Sequence, residues 1–424
     1  MKKQLLILLL CICGPSFAQN TLIYCGGMID GVRNDVQKEM TIVVKGSKII
    51  AIEKGYRKPD ANDKIIDLKN KTVMPGFIDM HVHLENETRR GQEVARFTNG
   101  PIDVAFASTG FAKKTLLAGF TTVRDLGGSG VNIALRKAIA SGLVIGPRVF
   151  TAGKSLSTTG GHADPTNGSY VDLKADPGPI NGVINSVEEA RQAVRQRYKE
   201  GSDCIKITAT GGVLSQAKDG MGPHWTEEEI RAVVETAKDY GFHVAAHAHG
   251  AEGMKRAIRA GVTTIEHGTF MDDEAMDLMK KMGAYYVPTI IAGKTVADSA
   301  KIFGYYSYMV TPKALAIGPK IQETFAKAYK AGVKIAFGTD AGVFVHGRNA
   351  KEFEFMVEAG MPAMEAIQSA TVTNATILGM RELIGSIEVG RFADIVASTE
   401  DPIKNIKTLQ DIKFVMKEGV VYKE

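Results

Sequence analysis

Residues Pro75 to Leu84 read PGFIDMHVHL, a short β-like run that ends in two histidines, His81 and His83. Because side chains alternate between the two faces of a strand, residues two apart project to the same side. Both imidazoles are therefore expected at one end of one strand, where they would form half of a metal site. A His-x-His pair alone is a modest signal, since paired surface histidines are common.

Seven further β-like runs follow this one, and helical stretches separate them. A typical helical stretch begins at Thr226, a plausible N-cap, and ends at Gly241, with apolar residues at helical spacing between them. The alternation predicts an α/β fold, a parallel (β/α)₈ TIM barrel whose active site lies at the C-terminal ends of the strands. The eight candidate strands cover residues 77–83, 120–127, 148–153, 204–212, 243–250, 263–268, 284–290 and 334–342.

Both ends of the chain differ from this middle part. Residues 21–72 and the C-terminal segment consist of short, glycine-bounded runs rich in β-branched residues, which are typical of small antiparallel sheets. The two ends are therefore predicted to build one small β-sandwich domain around the barrel. The predicted boundaries are 1–18 for a signal peptide, 19–73 and 381–424 for the two parts of the sandwich, and 74–380 for the barrel.

The first residues have the pattern of a secretory signal peptide. Lys2 and Lys3 precede an apolar run, and small residues lead up to Ala18, after which cleavage is expected. The apolar run is too short to remain as a membrane span, and no other segment approaches that length. A lipoprotein anchored through an early cysteine is the disfavoured alternative, because large apolar residues precede each cysteine there. We therefore expect an exported protein, either periplasmic or secreted.

Composition limits the classes of partner. The chain has 424 residues, 44% of them hydrophobic and 23% charged, which describes a globular protein with a large core. Its formal net charge of +5 falls to +3 once Lys2 and Lys3 are removed, and so mild an excess does not indicate nucleic acid or an anionic membrane surface. After cleavage Cys25 and Cys204 remain, and two distant cysteines do not make a disulfide framework.

Residue types that bind metals recur at the ends of the predicted strands. Imidazole and carboxylate suit zinc or a related divalent ion, and a catalytic site keeps one coordination position open for water. Each residue also has an ordinary alternative, as a barrel-lining lysine, a hydrogen-bonded core histidine or a turn-capping aspartate. Their repetition favours one shared site. The six candidate ligands are His81, His83, Lys206, His247, His267 and Asp340.

The motifs around these positions resemble the amidohydrolase superfamily, and within it the enzymes related to imidazolonepropionase and to Xaa-Pro dipeptidases (prolidases). The resemblance covers essentially all of the chain after the signal peptide and is highly specific for the superfamily. It is less specific for the dipeptidase subgroup. The motifs are VMPGFIDMHVHL, GFTTVRDLGG, TTGGHAD, CIKITATGGV, AAHAHG, IEHG, GTDAG and GSIEVGRFADIV.

The resemblance implies a binuclear site for two divalent ions, zinc by preference. It divides the ligands, so that one ion would be bound by His81, His83 and Asp340 and the other by His247 and His267. Lys206 would carry carbon dioxide as a carbamate that bridges both ions, which suits the chemistry because an unmodified ammonium has no lone pair. In the implied mechanism a metal-bridging hydroxide attacks the scissile carbonyl, and Asp340 passes the proton to the departing nitrogen.

Four further residues are candidate substrate contacts: His162, His249, His346 and Arg348. His162 lies in a glycine-rich loop after the third strand and resembles a family position that contacts substrate. His249 lies two residues after a candidate ligand and so shares its strand face, although many relatives carry tyrosine there. His346 and Arg348 follow the last strand, where the arginine could hold a carboxylate and a solvated loop is an equal alternative.

These observations predict a metal-dependent hydrolase that cleaves a carbon–nitrogen bond of a small molecule, with a dipeptide such as Xaa-Pro preferred. A cyclic amide, as in imidazolonepropionase, or an ester or lactone is the alternative on the same site. A non-catalytic scaffold is disfavoured because all six ligand positions are present. Asp79 is expected to support the ligands and Arg124 the barrel. Neither nucleic acid nor a membrane span is expected, and a homo-oligomer is left open.

Overall fold

The computed structural model describes residues 19–170, 174–217 and 220–424, and the fold of these residues is α/β. The predicted signal peptide lies outside the described residues. The strands are β1 Asn20–Met28, β2 Gln37–Lys45, β3 Lys48–Lys54, β4 Lys64–Pro75, β5 Phe77–Val82, β6 Phe120–Asp125, β7 Arg148–Thr151, β8 Ile205–Thr208, β9 Val244–Ala248, β10 Thr264–His267, β11 Tyr285–Val287, β12 Lys334–Ile335, β13 Ile395–Ser398, β14 Phe414–Lys417 and β15 Val420–Lys423.

Helices occupy the intervals between the middle strands. They are α1 Gln92–Thr98, α2 Pro101–Leu117, α3 Val131–Ala140, α4 Val187–Glu200, α5 Glu227–Asp239, α6 Ala251–Ala260, α7 Asp273–Met282, α8 Ile290–Ala300, α9 Val310–Lys330, α10 Lys351–Glu358, α11 Ala363–Gln368 and α12 Asn374–Ile377. The predicted N-cap of α5 is confirmed, because Thr226 accepts a hydrogen bond from the Glu229 amide and that glutamate accepts one from the Thr226 amide. This reciprocal pair satisfies two amides that the helix leaves free.

The two ends of the chain form one sheet domain, as predicted. The strand order is β15-β14-β13-β4-β1-β2-β3. Strand β4 joins the ends because it pairs with β1 in parallel on one side and with β13 antiparallel on the other. A buried cluster that includes Ile23, Ile42, Ile66 and Phe414 fills one face. The topology is therefore one continuous seven-stranded sheet, where the sequence had predicted a sandwich of two sheets.

All eight strands predicted for the middle of the chain are present, and they are parallel to their neighbours. β5, β6 and β7 form a three-stranded sheet, and β8 to β12 form a five-stranded sheet. Backbone hydrogen bonds link the two sheets on both sides: the Met80 amide donates to Phe337 O at 3.0 Å, and the Leu156 amide donates to Lys206 O at 2.7 Å. The C-terminal ends of the eight strands consequently lie around one common space.

Aromatic packing fixes the opposite, N-terminal ends of β5 and β6. Phe77 and Phe120 begin these strands, and their rings lie 5.6 Å apart. Phe353 of α10 contacts Phe77 at 5.1 Å and Phe337 at 4.3 Å. Truncation of a buried phenylalanine typically costs about 3–5 kcal/mol. This aromatic cluster therefore stabilises the N-terminal ends of β5 and β6, opposite the ends that carry the candidate ligands.

The described residues also show the apolar character of the helices and the state of the two cysteines. No helix within the described ranges has the length and apolar character needed to cross a membrane. Cys25 and Cys204 are both buried and free, and neither forms a disulfide. Burial raises the pKa of the Cys204 thiol to about 12, so this side chain behaves as a small apolar residue of the core.

Candidate metal centre

The six predicted metal ligands line one cavity of about 170 Å³ at the C-terminal ends of the parallel strands. Each side chain comes from the strand end that the sequence indicated. His81 and His83 end or follow β5, Lys206 lies in β8, His247 lies in β9, His267 ends β10, and Asp340 follows β12. The structure thus brings all six residues together from parts of the chain that are up to 259 residues apart.

Short distances connect the side chains that ring the cavity. Oδ1 of Asp340 lies 3.3 Å from Nε2 of His83 and 3.5 Å from Nε2 of His81. Nζ of Lys206 lies 3.4 Å from the same nitrogen of His81. His81, His267 and Asp340 each offer one ligand atom, and these atoms lie within 4.8 Å of one another. The imidazole of His247 adjoins that of His267, with ring centroids 4.6 Å apart.

Each candidate imidazole has one ring nitrogen engaged by another group of the protein. The contacts are His81 Nδ1 to Glu266 Oε2 at 3.0 Å, His83 Nδ1 to Gly127 O at 2.7 Å, His247 Nε2 to Gly211 O at 3.1 Å and His267 Nδ1 to Thr289 Oγ1 at 2.7 Å. A ring nitrogen bonded to a carbonyl or carboxylate oxygen carries the proton, so the other nitrogen has a free lone pair. Such contacts orient metal-binding histidines in proteins generally.

Burial keeps three of these four imidazoles neutral, whereas the contact of His83 with Asp340 outweighs its burial and raises the pKa of His83. Burial lowers the pKa of His81 to about 4 and holds the pKa values of His247 and His267 well below the usual range. Burial also lowers the pKa of the Lys206 ammonium, to about 8. Near neutral pH His81, His247 and His267 are therefore neutral, and they can bind a metal without first losing a proton.

The donor set fits a divalent cation. Oδ1 of Asp340 is buried and accepts no hydrogen bond from the described residues, although two imidazole nitrogens lie nearby. A buried carboxylate oxygen without a partner is costly, and a bound cation would remove that cost. Imidazole nitrogens and a carboxylate are also the ligand types that zinc takes in catalytic sites.

The backbone is strained at the same place. In the described chain five residues other than glycine have positive φ, and three of them are His267 (69°), Thr289 (52°) and Asp340 (62°). Each such residue typically costs on the order of 1–3 kcal/mol, so neighbouring contacts must hold it. The hydroxyl of Tyr286 donates to His267 O at 2.8 Å, and the amide of Asp340 donates to His81 O at 2.7 Å.

Glu266 is a supporting residue that no sequence motif indicates. Its carboxylate is fully buried and contacts both Nδ1 of His81 and, at 2.9 Å, Nη2 of the equally buried Arg124. Burial alone would raise the pKa of Glu266, but the charge of Arg124 and the contact with His81 hold it far below its usual range. Glu266 is therefore ionised, and its contact with Arg124 joins β10 to β6.

Asp79 supports the site through the backbone. It accepts hydrogen bonds from Thr339 Oγ1 at 2.6 Å, Asn349 Nδ2 at 2.8 Å and the His81 amide at 3.1 Å. These contacts tie β5 to the segment that carries Asp340. None of them reaches an imidazole, so Asp79 fixes the chain that presents the ligands and does not orient a ligand ring.

Two of the four predicted substrate contacts lie at the cavity, and two do not. His162 and His249 line it, and their rings lie 4.4 Å and 4.7 Å from that of His247. His346 and Arg348 are not among its lining residues. His346 is buried, with Nε2 2.9 Å from Asn86 O and its ring stacked on Phe111, and Arg348 is exposed.

The course of the chain after Asp340 accounts for the positions of His346 and Arg348. Gly342 and Gly347 adopt positive φ angles of 116° and 94°, which turn the backbone twice within six residues. Nearness in sequence to Asp340 therefore does not keep His346 and Arg348 near it in space. The prediction that these two side chains hold a substrate carboxylate receives no support from their positions.

One wall of the cavity is apolar. Its side chains come from α8, α9 and the segments that follow β8 and β12, and they face the polar groups at the strand ends. They are Val213, Leu214, Ala292, Val296, Ile317, Ile321 and Val343. The cavity thus combines a group of potential metal ligands with a surface suited to an apolar part of a small molecule.

Five of the eight parallel strands carry histidine, lysine or aspartate at or near their C-terminal ends, the arrangement expected of a metal-dependent hydrolase. The model of the Amidohydrolase family matches residues 72–422, and the chain belongs to this family. The predicted family is thereby confirmed. The protein is an enzyme that hydrolyses carbon–nitrogen bonds.

Similar proteins within the family differ in the substrates that their names give. A solved structure of a Xaa-Pro dipeptidase with methionine bound in its active site is 53% identical and superposes with a TM-score of 0.92, covering 96% of this chain and 100% of that one. Ochratoxinase of Aspergillus niger is 32% identical over 96% of this chain and 86% of its own length. Imidazolonepropionase of Alkaliphilus metalliredigens is 25% identical over 90% and 91% of the two chains.

Proposed function

We propose that this enzyme is a metal-dependent dipeptidase that hydrolyses the peptide bond of Xaa-Pro dipeptides. The observation that carries the proposal is the cavity itself, in which the potential metal ligands face an apolar wall within about 170 Å³. Most ligand pockets measure roughly 300–1,000 Å³, so a substrate no larger than a dipeptide suits this one. The 53% identity with a Xaa-Pro dipeptidase supports the same class of substrate.

The proposal includes two divalent ions, zinc by preference. His81, His83 and Asp340 would hold one, His247 and His267 the other, and Lys206, as a carbamate formed with carbon dioxide, would be shared. When bound, such ions supply Lewis acidity that lowers the pKa of water and polarises a carbonyl. The unpaired Oδ1 of Asp340 supports its role as the group that accepts a proton from the attacking water and returns it to the departing nitrogen.

Other side chains of the cavity would bind and orient the substrate. Nδ1 of His162 is buried and has no hydrogen-bond partner in the described residues, so it is available to a substrate atom. Nδ1 of His249 lies 2.9 Å from Thr269 Oγ1, which leaves Nε2 for the same purpose. The apolar wall, which includes Val296 and Ile321, would accept the side chain of the first residue and exclude water from the peptide bond.

Two further predictions from the sequence belong to the same proposal. Residues 74–380 would form one closed (β/α)₈ barrel, which the hydrogen bonds of Met80 and Leu156 between the two parallel sheets support. The protein would be exported, periplasmic or secreted, after cleavage behind Ala18, which the N-terminal pattern supports.

The test is turnover of a mixed dipeptide library by the mature protein reconstituted with zinc and bicarbonate, read by mass spectrometry against a chelated control. Selective, chelator-sensitive loss of Xaa-Pro dipeptides is the expected result. His247→Ala and Asp340→Asn should abolish it, and Arg348→Ala, which changes a residue outside the cavity, is the matched control. An unchanged library with two zinc ions bound per chain would contradict the dipeptidase and direct the search to cyclic amides, esters and lactones.

A further inference from the structure

Helix α8 begins without a side-chain cap from its own N-cap residue. Thr289 is its N-cap residue, yet the side chain makes no hydrogen bond to the first turn of the helix. A threonine at this position ordinarily accepts a hydrogen bond from the second or third amide of the helix. Here Oγ1 of Thr289 lies 2.7 Å from Nδ1 of His267 instead. The hydroxyl that would cap the helix therefore contacts the candidate metal centre.

A residue from another helix satisfies the free amides. The Glu352 side chain of α10 accepts hydrogen bonds from the Ile290 amide at 2.8 Å and from the Ile291 amide at 2.7 Å. Glu352 is fully buried and lies 62 residues away from Ile290 in sequence. The two side-chain oxygens thus pair two amides that the helix leaves free.

We propose that Glu352 is a positioning residue for His267. By capping α8 from α10, it frees the Thr289 hydroxyl to hold Nδ1 of His267, so that Nε2 of this ring points to the metal. The inference rests on the metal-binding part of the proposed function, because it treats His267 as a ligand. It does not depend on which amide the enzyme hydrolyses.

The energetic cost of the arrangement supports this reading. Burial of a carboxyl group costs free energy, whereas a cap by the Thr289 hydroxyl would not require a buried carboxyl group. Capping of α8 alone therefore does not explain why Glu352 is buried at this position. Thr289 also has a φ of 52°, which a β-branched residue rarely adopts. The amides on its C-terminal side are held by Glu352 and its hydroxyl by His267, and together these contacts fix the strained residue between the helix and the histidine.

The experiment compares zinc affinity with stability in the full-length mature protein. Zinc affinity is measured by competition with a chromophoric chelator in bicarbonate buffer, and the free energy of unfolding of the metal-free protein by chemical denaturation. Glu352→Gln, which replaces one of the two acceptor oxygens by a donor, and Thr289→Val should each weaken zinc binding by about tenfold or more. Thr289→Ser, which keeps the hydroxyl, should bind zinc like the wild type.

Two further comparisons separate positioning from general destabilisation. The double variant Glu352→Gln/Thr289→Val should lose no more zinc affinity than the weaker-binding single variant, because both changes break the same series of contacts. Ser186 caps α4 by accepting from the Glu189 amide. Ser186→Ala is therefore a matched control that removes a helix cap at a residue outside the lining of the cavity, and it should lower stability without changing zinc affinity.

The other outcomes contradict either the role of Glu352 or the proposed binding of metal. Wild-type affinity in folded Glu352→Gln, or losses that multiply in the double variant, would overturn the inference and leave the proposed function standing. If Glu352→Gln does not fold, equal zinc affinity in Thr289→Ser and Thr289→Val would overturn it in the same way. A wild-type protein that binds no zinc would overturn the metal-binding part of the proposed function, and the inference with it.

Discussion

The carboxylate of Glu266 lies 3.0 Å from Nδ1 of His81, and both side chains are buried. The other oxygen of the carboxylate contacts Arg124, which is fully buried as well. The arginine stabilises the ionised form of the carboxylate, and the carboxylate holds the proton of His81 on Nδ1. The result is that Nε2 of His81 faces Asp340 and Lys206 with a free lone pair.

Neutralising Glu266 should therefore destabilise the protein through Arg124. Glu266→Gln keeps the shape of the side chain and removes its charge, which leaves a buried guanidinium without its anion. Removal of one partner of a buried ion pair typically costs about 3–5 kcal/mol. We expect a loss of this size in the free energy of unfolding, measured by chemical denaturation. In Arg124→Met/Glu266→Gln neither charge remains, so much of the loss should be recovered, and an equally unstable double variant would contradict the explanation.

The positions of the substrate candidates lead to a second prediction. His249 lines the cavity, whereas Arg348 does not. His249→Ala removes a hydrogen-bonding group from the cavity and should lower kcat/KM for the best dipeptide by about 10- to 100-fold, the equivalent of a hydrogen bond of 1–3 kcal/mol. Arg348→Ala should change it by less than about twofold. A comparable loss in Arg348→Ala would show that the loop after Asp340 reaches the substrate.

The sequence predicted the eight strands and the convergence of the ligands for a simple physical reason. Parallel strands connected by helices all end on the same side of a sheet, so residues at the ends of the β-like runs must lie near one another. His81, His247 and His267 each end such a run or lie within one residue of its last described position. Their convergence follows from the direction of the strands and does not depend on how far apart the residues lie in sequence.

The sequence did not predict the role of Glu266 or the capping of α8. The first depends on an exception to the alternation of side chains along a strand, and the second on a contact between residues far apart in sequence. Glu266 and His267 are neighbours, and alternation in a strand would direct only one of them inward. The positive φ of His267 ends the regular strand and allows both to contact the centre. The capping of α8 by Glu352 has no local signal at all, because it joins residues 61 and 62 positions apart.

Lys206 gives a third prediction, which concerns carbon dioxide. Its buried Nζ lies 3.4 Å from Nε2 of His81, and an ammonium there has no lone pair for a metal. We expect metal-free enzyme to bind two zinc ions per chain in bicarbonate buffer and fewer after carbon dioxide has been removed, as measured by atomic emission. Lys206→Met should be indifferent to bicarbonate. Full zinc binding by the wild type without carbon dioxide would contradict a carbamate at this residue.

The burial of Glu352 gives a fourth prediction, the pH dependence of stability. Burial, with a smaller contribution from the negative charge of Asp79, raises the pKa of Glu352 from 4.5 to about 8. The folded state thus binds this proton more tightly than the unfolded state does. The resulting stability is fully present below about pH 4.5 and is lost as the pH rises through about 8, so the free energy of unfolding of the metal-free protein should fall across this window.

Glu352→Gln isolates this contribution because glutamine does not ionise. Asp79 and Asp125, whose pKa values burial raises to about 6, titrate in both proteins and cancel in the difference between them. Each unit of pKa shift corresponds to about 1.4 kcal/mol, so the wild type should lose at least that much more stability than Glu352→Gln between pH 5 and pH 8, measured by denaturation at fixed ionic strength. Parallel curves would mean that Glu352 is already ionised at pH 5 in the folded protein, with its two backbone hydrogen bonds offsetting the whole cost of burial.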